Sequence, residues 1–321
     1  MAGRDILSEK QKIISVVGPT ASGKTSLAVE LAKIFDGEVI SADSMQIYQG
    51  MRIATAKPDE SEMQGIPHHL MDFLPPDRSY SVAMFTEDAK RCIADIASRG
   101  KLPILAGGTG LYVDSLLQNI KFSEEERDEK LSRELWQKYE EEGINSLLSK
   151  LREIDPPSYE RLKEGRNPKR VIRAVEFYYT TGKTITEQNE QSRLEQPLYD
   201  AVKIGLGFLD REKLYERINH RVDLMLRNGL LEEAGNVLHS QLSQTSVKAI
   251  GYKELAPYFS GEQSLDECIE KLKRETRRYA KRQLTWFKRD KEINWLYVDD
   301  EPCFEALLGK AVQLIKGRLY G

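Results

Sequence analysis

Eight consecutive residues carry the most specific chemistry in this chain. Gly18-Pro19-Thr20-Ala21-Ser22-Gly23-Lys24-Thr25 matches the pattern G-x-x-x-x-G-K-[ST] in full. An apolar, β-branched run over residues 13–17 precedes it, and Leu27, Leu31 and Ile34 follow at helical spacing. A strand leading into a tight loop and then a helix is the setting in which this pattern binds phosphate. Loop amides converge on phosphate oxygens, and the helix N-terminus favours negative charge. Lys24 adds a point charge, and the Thr25 hydroxyl is the ligand such loops offer to Mg²⁺. The pattern speaks for phosphate binding, not by itself for ATP hydrolysis.

Hydrolases built on this loop usually have an apolar strand that ends in an acidic metal ligand. Here the apolar run 102–106 ends in Gly107-Gly108-Thr109-Gly110, without a carboxylate. The nearest acidic residue at a strand end is Asp43, 19 residues after Lys24, behind the short apolar pair Val39-Ile40. Asp43 fits three uses: a metal ligand, a base facing a second substrate, or the plain N-cap of a helix.

Cationic residues are clustered. Arg217 and Arg221 lie four apart on a helix expected over residues 211–227, and so share a face. Paired guanidinium forks suit a diphosphate; the plainer reading is a solvated face shared with Glu216 and Asp223. Residues 271–291 hold ten Lys or Arg against two acidic residues, with Arg274, Arg278 and Arg282 at four-residue spacing and Tyr279, Trp286 and Phe287 interleaved. This reads as a helix with an apolar face and a phosphate-facing face, or as an ordinary amphipathic helix with a basic solvent side. Lys169, Arg170 and Arg173 form a smaller cluster. His68-His69 lack metal-ligand spacing and read as loop or packing residues; Trp136 and Trp295 read as core.

The elements that must position these groups alternate. Strands are expected at 13–17, 39–40, 102–106, 202–208 and 295–298, with helices between them, which gives an α/β fold with a mostly parallel sheet. Ligands in such sheets bind beyond the C-terminal strand ends, where residues 18–25, 43–46 and 107–109 all fall. Between 123 and 192 the character changes to a charge run at 124–130 and long helical segments, with Leu131, Leu135, Trp136 and Tyr139 on one stripe. Asn167-Pro168 reads as an N-cap with proline in the first turn of a helix over 169–179, and Gly182 as its stop. The expected organisation is a core of residues 1–122 and 193–321 with a helical insertion of residues 123–192.

Composition sets the outer limits. A chain of 321 residues has room for about two units of roughly 150 residues. With 40% hydrophobic and 31% charged residues it reads as globular with a charge-rich surface. The net charge of −3 argues against a uniformly basic nucleic-acid binder, although a local stripe suffices to bind phosphates. The three cysteines, Cys92, Cys268 and Cys303, form no framework. With no apolar leader at the N-terminus and no run near the ~18 residues a membrane span requires, the expectation is a cytoplasmic protein with no membrane partner.

Eight segments together resemble one family. The phosphate loop, residues 40–48 (ISADSMQIY), 53–58 (IATAKP), 107–112 (GGTGLY), 167–174 (NPKRVIRA), 216–225 (ERINHRVDLM), 249–252 (AIGY) and 276–289 (TRRYAKRQLTWFKR) are similar, in order, to bacterial tRNA dimethylallyltransferases, the tRNA isopentenyltransferase or IPP transferase family. The resemblance runs from about residue 12 to 298. It implies a P-loop NTPase-like core whose loop holds dimethylallyl diphosphate in place of a nucleotide. The implied reaction attaches the dimethylallyl group to the exocyclic amine of the adenosine 3′ of the anticodon, inside a tunnel.

By that resemblance Asp43 is the general base, Thr25, Lys24 and Arg221 surround the diphosphate with Arg217 near them, and Thr109 lies in the tunnel. Asp43-Ser44-Met45-Gln46, Lys169-Arg170-Val171-Ile172-Arg173, Arg278 and Arg282 would meet the tRNA anticodon stem-loop. Mg²⁺ would sit at Thr25, and the protein would act as a monomer. Where some members place a tRNA-contacting arginine this chain has Ser132, with Arg133 beside it. Eukaryotic relatives often carry a C-terminal zinc finger; this sequence has no such spacing, which points to a bacterial member. Three rival readings remain: an adenylate isopentenyltransferase, a small-molecule P-loop kinase, and a non-catalytic RNA-binding protein with a degenerate nucleotide site. The insertion and the basic stripe favour tRNA over the first, the missing acidic strand end disfavours the second, and the intact loop and Asp43 disfavour the third.

Overall fold

The computed structural model describes residues 10–121, 128–193, 196–243 and 245–320. Most of the charge run at 124–130 lies outside them. In chain order the first half of the core is β1 (Gln11–Val17), α1 (Lys24–Ile34), β2 (Gly37–Ser41), α2 (Glu60–Met63), β3 (His68–His69), α3 (Val82–Ser98), β4 (Leu102–Gly107) and α4 (Gly110–Leu117). A helical run follows: α5 (Glu129–Glu142), α6 (Ile144–Ile154), α7 (Pro156–Leu162), α8 (Pro168–Thr181) and α9 (Ile185–Arg193). The chain then completes the core with β5 (Tyr199–Gly207), α10 (Arg211–Arg227), α11 (Leu230–His239), α12 (Ala256–Phe259), α13 (Leu265–Phe287), β6 (Asn294–Tyr297) and α14 (Phe304–Leu319).

Among the described residues the strands form one six-stranded sheet in the order β3-β2-β4-β1-β5-β6, with every pairing parallel. Burial on both faces explains the near-continuous apolar strands. Ile14 and Val16 face Leu27, Leu31, Leu307 and Ile315 on one side. Ile13 and Val17 belong to the cluster with Phe85, Ile93, Leu116 and Phe287 on the other. Each fully buried aliphatic chain of this kind contributes about 1.5–3 kcal/mol. Parallel pairing also places the C-terminal ends of β1, β2, β4 and β5 along one edge of the sheet, and those ends carry the chemistry-bearing residues.

His68 and His69 do not lie in a loop. They form a two-residue edge strand paired with Val39 and Ile40. His69 Nε2 meets Glu38 Oε2 at 2.7 Å, and Arg99 binds the same buried carboxylate. With Arg99 as the main cause, the Glu38 carboxyl is held down to about 2.

Contacts divide the chain into two compact units, Met1–Leu117 with Leu198–Gly321, and Gln118–Pro197. The second starts and ends five residues outside the 123–192 read from sequence, because its two chain crossings bond to each other. Ser192 Oγ donates to Lys121 O at 2.8 Å, and Asn119 Nδ2 to Gln196 O at 3.4 Å. The unit has its own core of Leu135, Leu147, Leu148, Leu151, Val171, Ile172 and Val175. The Asp155 carboxylate ties α7 to α9, accepting from Ser158 N at 3.1 Å and Thr186 Oγ1 at 2.6 Å. Asn167 caps α8, accepting from Arg170 N, with Pro168 in the first turn, and Gly182 (φ 71°) closes it. Among the described residues no helix is long and apolar enough to cross a membrane.

Candidate active site

A cavity of about 270 Å³ opens at the C-terminal edge of the sheet. Three strand ends and two helices supply much of its wall. The loop after β1 contributes Thr20, Ala21, Lys24 and Thr25; the loop after β2 contributes Asp43, Ser44, Met45 and Gln46; β4 contributes Ala106 and Gly107. From α10 come Ile218, Arg221, Val222 and Met225, and from α13 Leu272, Thr276, Tyr279, Arg282 and Gln283. The helical periods account for this. On α10, Leu214, Ile218 and Val222 bury one stripe, and Arg221 falls beside it. On α13 the spacings 272, 276, 279 and 283 keep one face on the cavity.

Among the described residues Asp43 is the one carboxylate lining the cavity, against Lys24, Arg221, Lys248, Lys253 and Arg282. That excess of cations over a single acid suits a bound polyanion. The same cavity is also lined by apolar side chains, Ile218, Val222, Met225, Leu230, Ile250 and Leu272. A ligand with a charged head and a short hydrocarbon tail matches this mixed lining.

Within the phosphate loop, Lys24 Nζ donates to Pro19 O at 2.6 Å and Ser22 Oγ to the same oxygen at 2.9 Å. Burial, with Arg221 adding to it, pushes the Lys24 ammonium down to about 7, and Asp43 opposes the shift. Burial likewise raises the Asp43 carboxyl above its ordinary range, against the Met45 N–H it accepts at 2.9 Å and the charge of Lys24. Asp43 thus accepts from a turn at Met45, where no helix follows it, and lines the cavity together with Lys24. Burial also lowers the Arg221 guanidinium. Arg217 does not line the cavity. Its Nε donates to Ala21 O at 3.0 Å, which braces the loop from outside.

The Asp43 loop is itself held. Ser44 N donates to Thr109 Oγ1 at 3.0 Å, and Thr109 N to Ala42 O at 3.1 Å. Gln46 accepts from Ser41 Oγ at 2.9 Å and donates to Ala56 O at 3.2 Å. The glycines of residues 107–110 are required by close approach. A Cβ on Gly108 would lie 2.1 Å from Gln283 Nε2, and one on Gly110 would lie 2.2 Å from the Trp286 ring.

The basic residues of α13 divide in two. Lys273 pairs with Asp223 at 2.8 Å and Arg277 Nη1 donates to Asn219 Oδ1 at 2.6 Å, so both tie α13 to α10. Arg274, Arg278 and Arg282 are exposed. Arg282 stacks over Tyr279 at 5.7 Å and lines the cavity, whereas Arg278 pairs with Glu275 at 2.7 Å away from it. In the second unit, Lys169, Arg170 and Arg173 are exposed, while Val171 and Ile172 are buried, at 0% and 1% exposure, and their side chains serve the core. Ser132 is buried, at 6% exposure, and Arg133 is exposed with its Nε donating to Glu129 O.

Sequence reasoning missed Glu233. Its carboxylate accepts from Arg52 N, Ile53 N and Ala54 N at 2.8, 2.7 and 2.9 Å and from Tyr252 OH at 2.8 Å, fixing the loop that presents Ala54, Thr55 and Ala56 to the cavity. It also missed Gln283, Thr276, Lys248 and Lys253. Gln283 and Thr276 stand inside the 276–289 segment, which was the available signal; nothing in the sequence around Glu233 marks it.

The profile of the IPP transferase family matches residues 46–290. The chain belongs to the IPP transferase family. A tRNA dimethylallyltransferase of Acetivibrio thermocellus is 50% identical over 92% of this chain and 95% of its own length, and one of Oceanobacillus iheyensis is 49% identical over 97% of both. Among solved structures, a tRNA isopentenylpyrophosphate transferase of Bacillus halodurans superposes with a TM-score of 0.73 at 42% identity, covering 97% of each chain. A eukaryotic dimethylallyltransferase acting on tRNA superposes with a TM-score of 0.80 at 31% identity, covering 94% of this chain and 77% of that one. This IPP transferase accordingly has the P-loop NTPase-like α/β fold and is a prenyltransferase. The matched segment begins after the phosphate loop, so the reading of residues 18–25 stands on their own pattern and geometry.

Proposed function

We propose that this IPP transferase moves the dimethylallyl group from dimethylallyl diphosphate to the exocyclic N6 amine of the adenosine 3′ of the anticodon in tRNA, releasing diphosphate. The observation that carries the reading is a cavity lined together by the phosphate loop, Arg221, apolar side chains of α10 and α13 and, as its one carboxylate among the described residues, Asp43. The loop amides, Lys24 and Arg221 hold the diphosphate head, and Ile218, Val222, Met225 and Leu272 receive the five-carbon tail. The adenine leaves its stack to enter, because its amine is otherwise shielded. The amine nitrogen attacks the allylic carbon, the carbon–oxygen bond breaks with its electron pair going to the diphosphate, and the Asp43 carboxylate takes the amine proton. Charge growing on the leaving group is met by groups already in place.

Among the described residues no group of His, Cys, Asp or Glu side chains is arranged to hold a metal alone. The Thr25 hydroxyl with diphosphate oxygens and water fits Mg²⁺, which keeps most of its shell as water and phosphate. When bound, Mg²⁺ would offset charge on the diphosphate. Arg278, Arg282, Lys169, Arg170 and Arg173 supply exposed cations for the tRNA backbone. The test is incubation with radiolabelled dimethylallyl diphosphate and either bulk tRNA lacking the modification or free AMP. Label in tRNA and none in AMP is expected; label in AMP alone would make the protein an adenylate-directed enzyme.

A further inference from the structure

One peptide unit in the phosphate loop is gripped from both sides. The Pro19 carbonyl accepts from Lys24 Nζ and Ser22 Oγ. The N–H of the same unit, on Thr20, donates to Gln283 Oε1 at 2.8 Å. The other end of that side chain, Gln283 Nε2, donates to Gly108 O at 3.0 Å. Gln283 is 5% exposed, so both bonds are made away from water. The next residue, Thr109, holds the Ser44 N–H beside Asp43. A single side chain on α13 therefore joins the loops after β1 and β4 and, through Thr109, the loop after β2.

We infer that Gln283 is a positioning residue for the transfer: it orients the peptide on which Lys24 rests and keeps the phosphate loop in register with the Asp43 loop. The inference rests on the reading of this cavity as the transfer site. Two physical points support it. Donation by the Thr20 N–H to Gln283 polarises the peptide, which makes the Pro19 oxygen a better acceptor for Lys24. An amide has one acceptor and one donor end, and here each faces a partner of the opposite kind. No other residue type of this length supplies both ends at neutral pH. The absence of a Cβ at Gly108 leaves the space that the amide nitrogen fills.

The test uses the full-length protein with Gln283→Leu and Gln283→Glu. Inorganic diphosphate binding is followed by calorimetry, tRNA binding by filter retention, and KM and kcat for the donor by label transfer. For Gln283→Leu, diphosphate affinity and kcat/KM for the donor are expected to fall by about 10- to 100-fold, the range for buried polar groups left unmatched. Its tRNA affinity should stay within about twofold of the parent's. In Gln283→Glu the carboxylate still accepts from Thr20 but cannot donate to Gly108 until it is protonated. Its diphosphate affinity relative to the parent should rise as the pH falls from 8 to 6, and the Gln283→Leu ratio should stay flat. Taking the ratio at each pH cancels what parent and variant share, including the charged and titratable groups that line the same cavity, Asp43, Lys24, Arg221, Lys248, Lys253, Tyr279 and Arg282. Parent-like diphosphate affinity in Gln283→Leu, or a flat ratio in Gln283→Glu, overturns the inference. If Gln283→Leu fails to fold, the Gln283→Glu profile decides alone. Inorganic diphosphate reports on the loop whatever the acceptor is, so a protein that binds it in a Gln283-dependent way but never labels tRNA would sink the transferase reading and not this one.

Discussion

Raising the pH should weaken diphosphate binding through one residue. Lys24 is held down to about 7 in the free protein, chiefly by burial and next by Arg221. Binding needs its charged form. At pH 6 about nine in ten molecules carry the proton, and at pH 9 about one in a hundred. If only the charged form binds, the apparent dissociation constant rises by up to roughly 100-fold across that interval. A diphosphate in contact with the ammonium holds the proton on, so binding at pH 8 takes up close to one proton, about 0.9. Calorimetry with inorganic diphosphate in buffers of different ionisation enthalpy measures both quantities. The ligand titrates as well, and the Lys24→Met variant supplies the correction. The stability of the free protein runs the other way. A lysine whose pKa is lower folded than unfolded costs stability wherever it must be charged in the fold. That cost is fully present below pH 7 and is relieved as the pH rises from about 7 towards the unfolded value of 10.5. Lys24→Met should therefore melt no lower than the parent at pH 7 while binding diphosphate far less tightly. Identical pH dependence in parent and variant, with equal proton uptake, would refute the reasoning.

Two further outcomes are expected. tRNA affinity should fall steeply with salt, with a log–log slope of several units, and replacing Arg278 by alanine should make that slope shallower by about one unit without changing diphosphate affinity, whereas Arg282→Ala, which also removes a cation from the cavity, should lower both; a parent-like slope in filter binding for both variants would place this face of α13 away from RNA. Replacing residues 118–197 by a short flexible linker should leave diphosphate binding by calorimetry within a fewfold of the parent and remove most tRNA affinity, because Lys169, Arg170 and Arg173 go with the unit; retained tRNA modification at parent efficiency would make that cluster a solvated helix start.

Local signals were legible in the sequence, and long-range ones were not. The phosphate loop is written in eight adjacent residues, and its strand and helix follow from apolar spacing alone. The expected bounds of α10, 211–227, coincide with Arg211–Arg227, since Asp210 caps it and the Leu214, Ile218 and Val222 period persists throughout. Asp43 was legible because a strand end is a local feature too. The contacts that hold the site together are a different matter. Gln283 meets Thr20 across 263 positions, and Glu233 meets Ile53 across 180. No periodicity or propensity encodes a pairing over that distance. β3 was missed because two histidines carry no strand signal of their own; parallel pairing with β2 and the Glu38 carboxylate hold them there. The basic stripe was legible as charge, but its division between inward ties at Lys273 and Arg277 and outward cations at Arg274, Arg278 and Arg282 depends on which face α10 covers.

The measurement closest to the central claim separates donor binding from chemistry at Asp43. Protein preloaded with dimethylallyl diphosphate is mixed with an excess of unmodified tRNA over active sites, and label transfer in the first turnover is followed for the parent and for Asp43→Ala, alongside calorimetry with inorganic diphosphate. The expected result is diphosphate affinity within a fewfold of the parent's and a transfer rate lower by ~10²-fold or more, the range for loss of a general base. The parent's rate should also fall on acidification at a pH above that of an ordinary carboxylate, because burial raises Asp43, and this limb should be absent in the variant. An unchanged first-turnover rate in Asp43→Ala would contradict the account and remove Asp43 from the reaction.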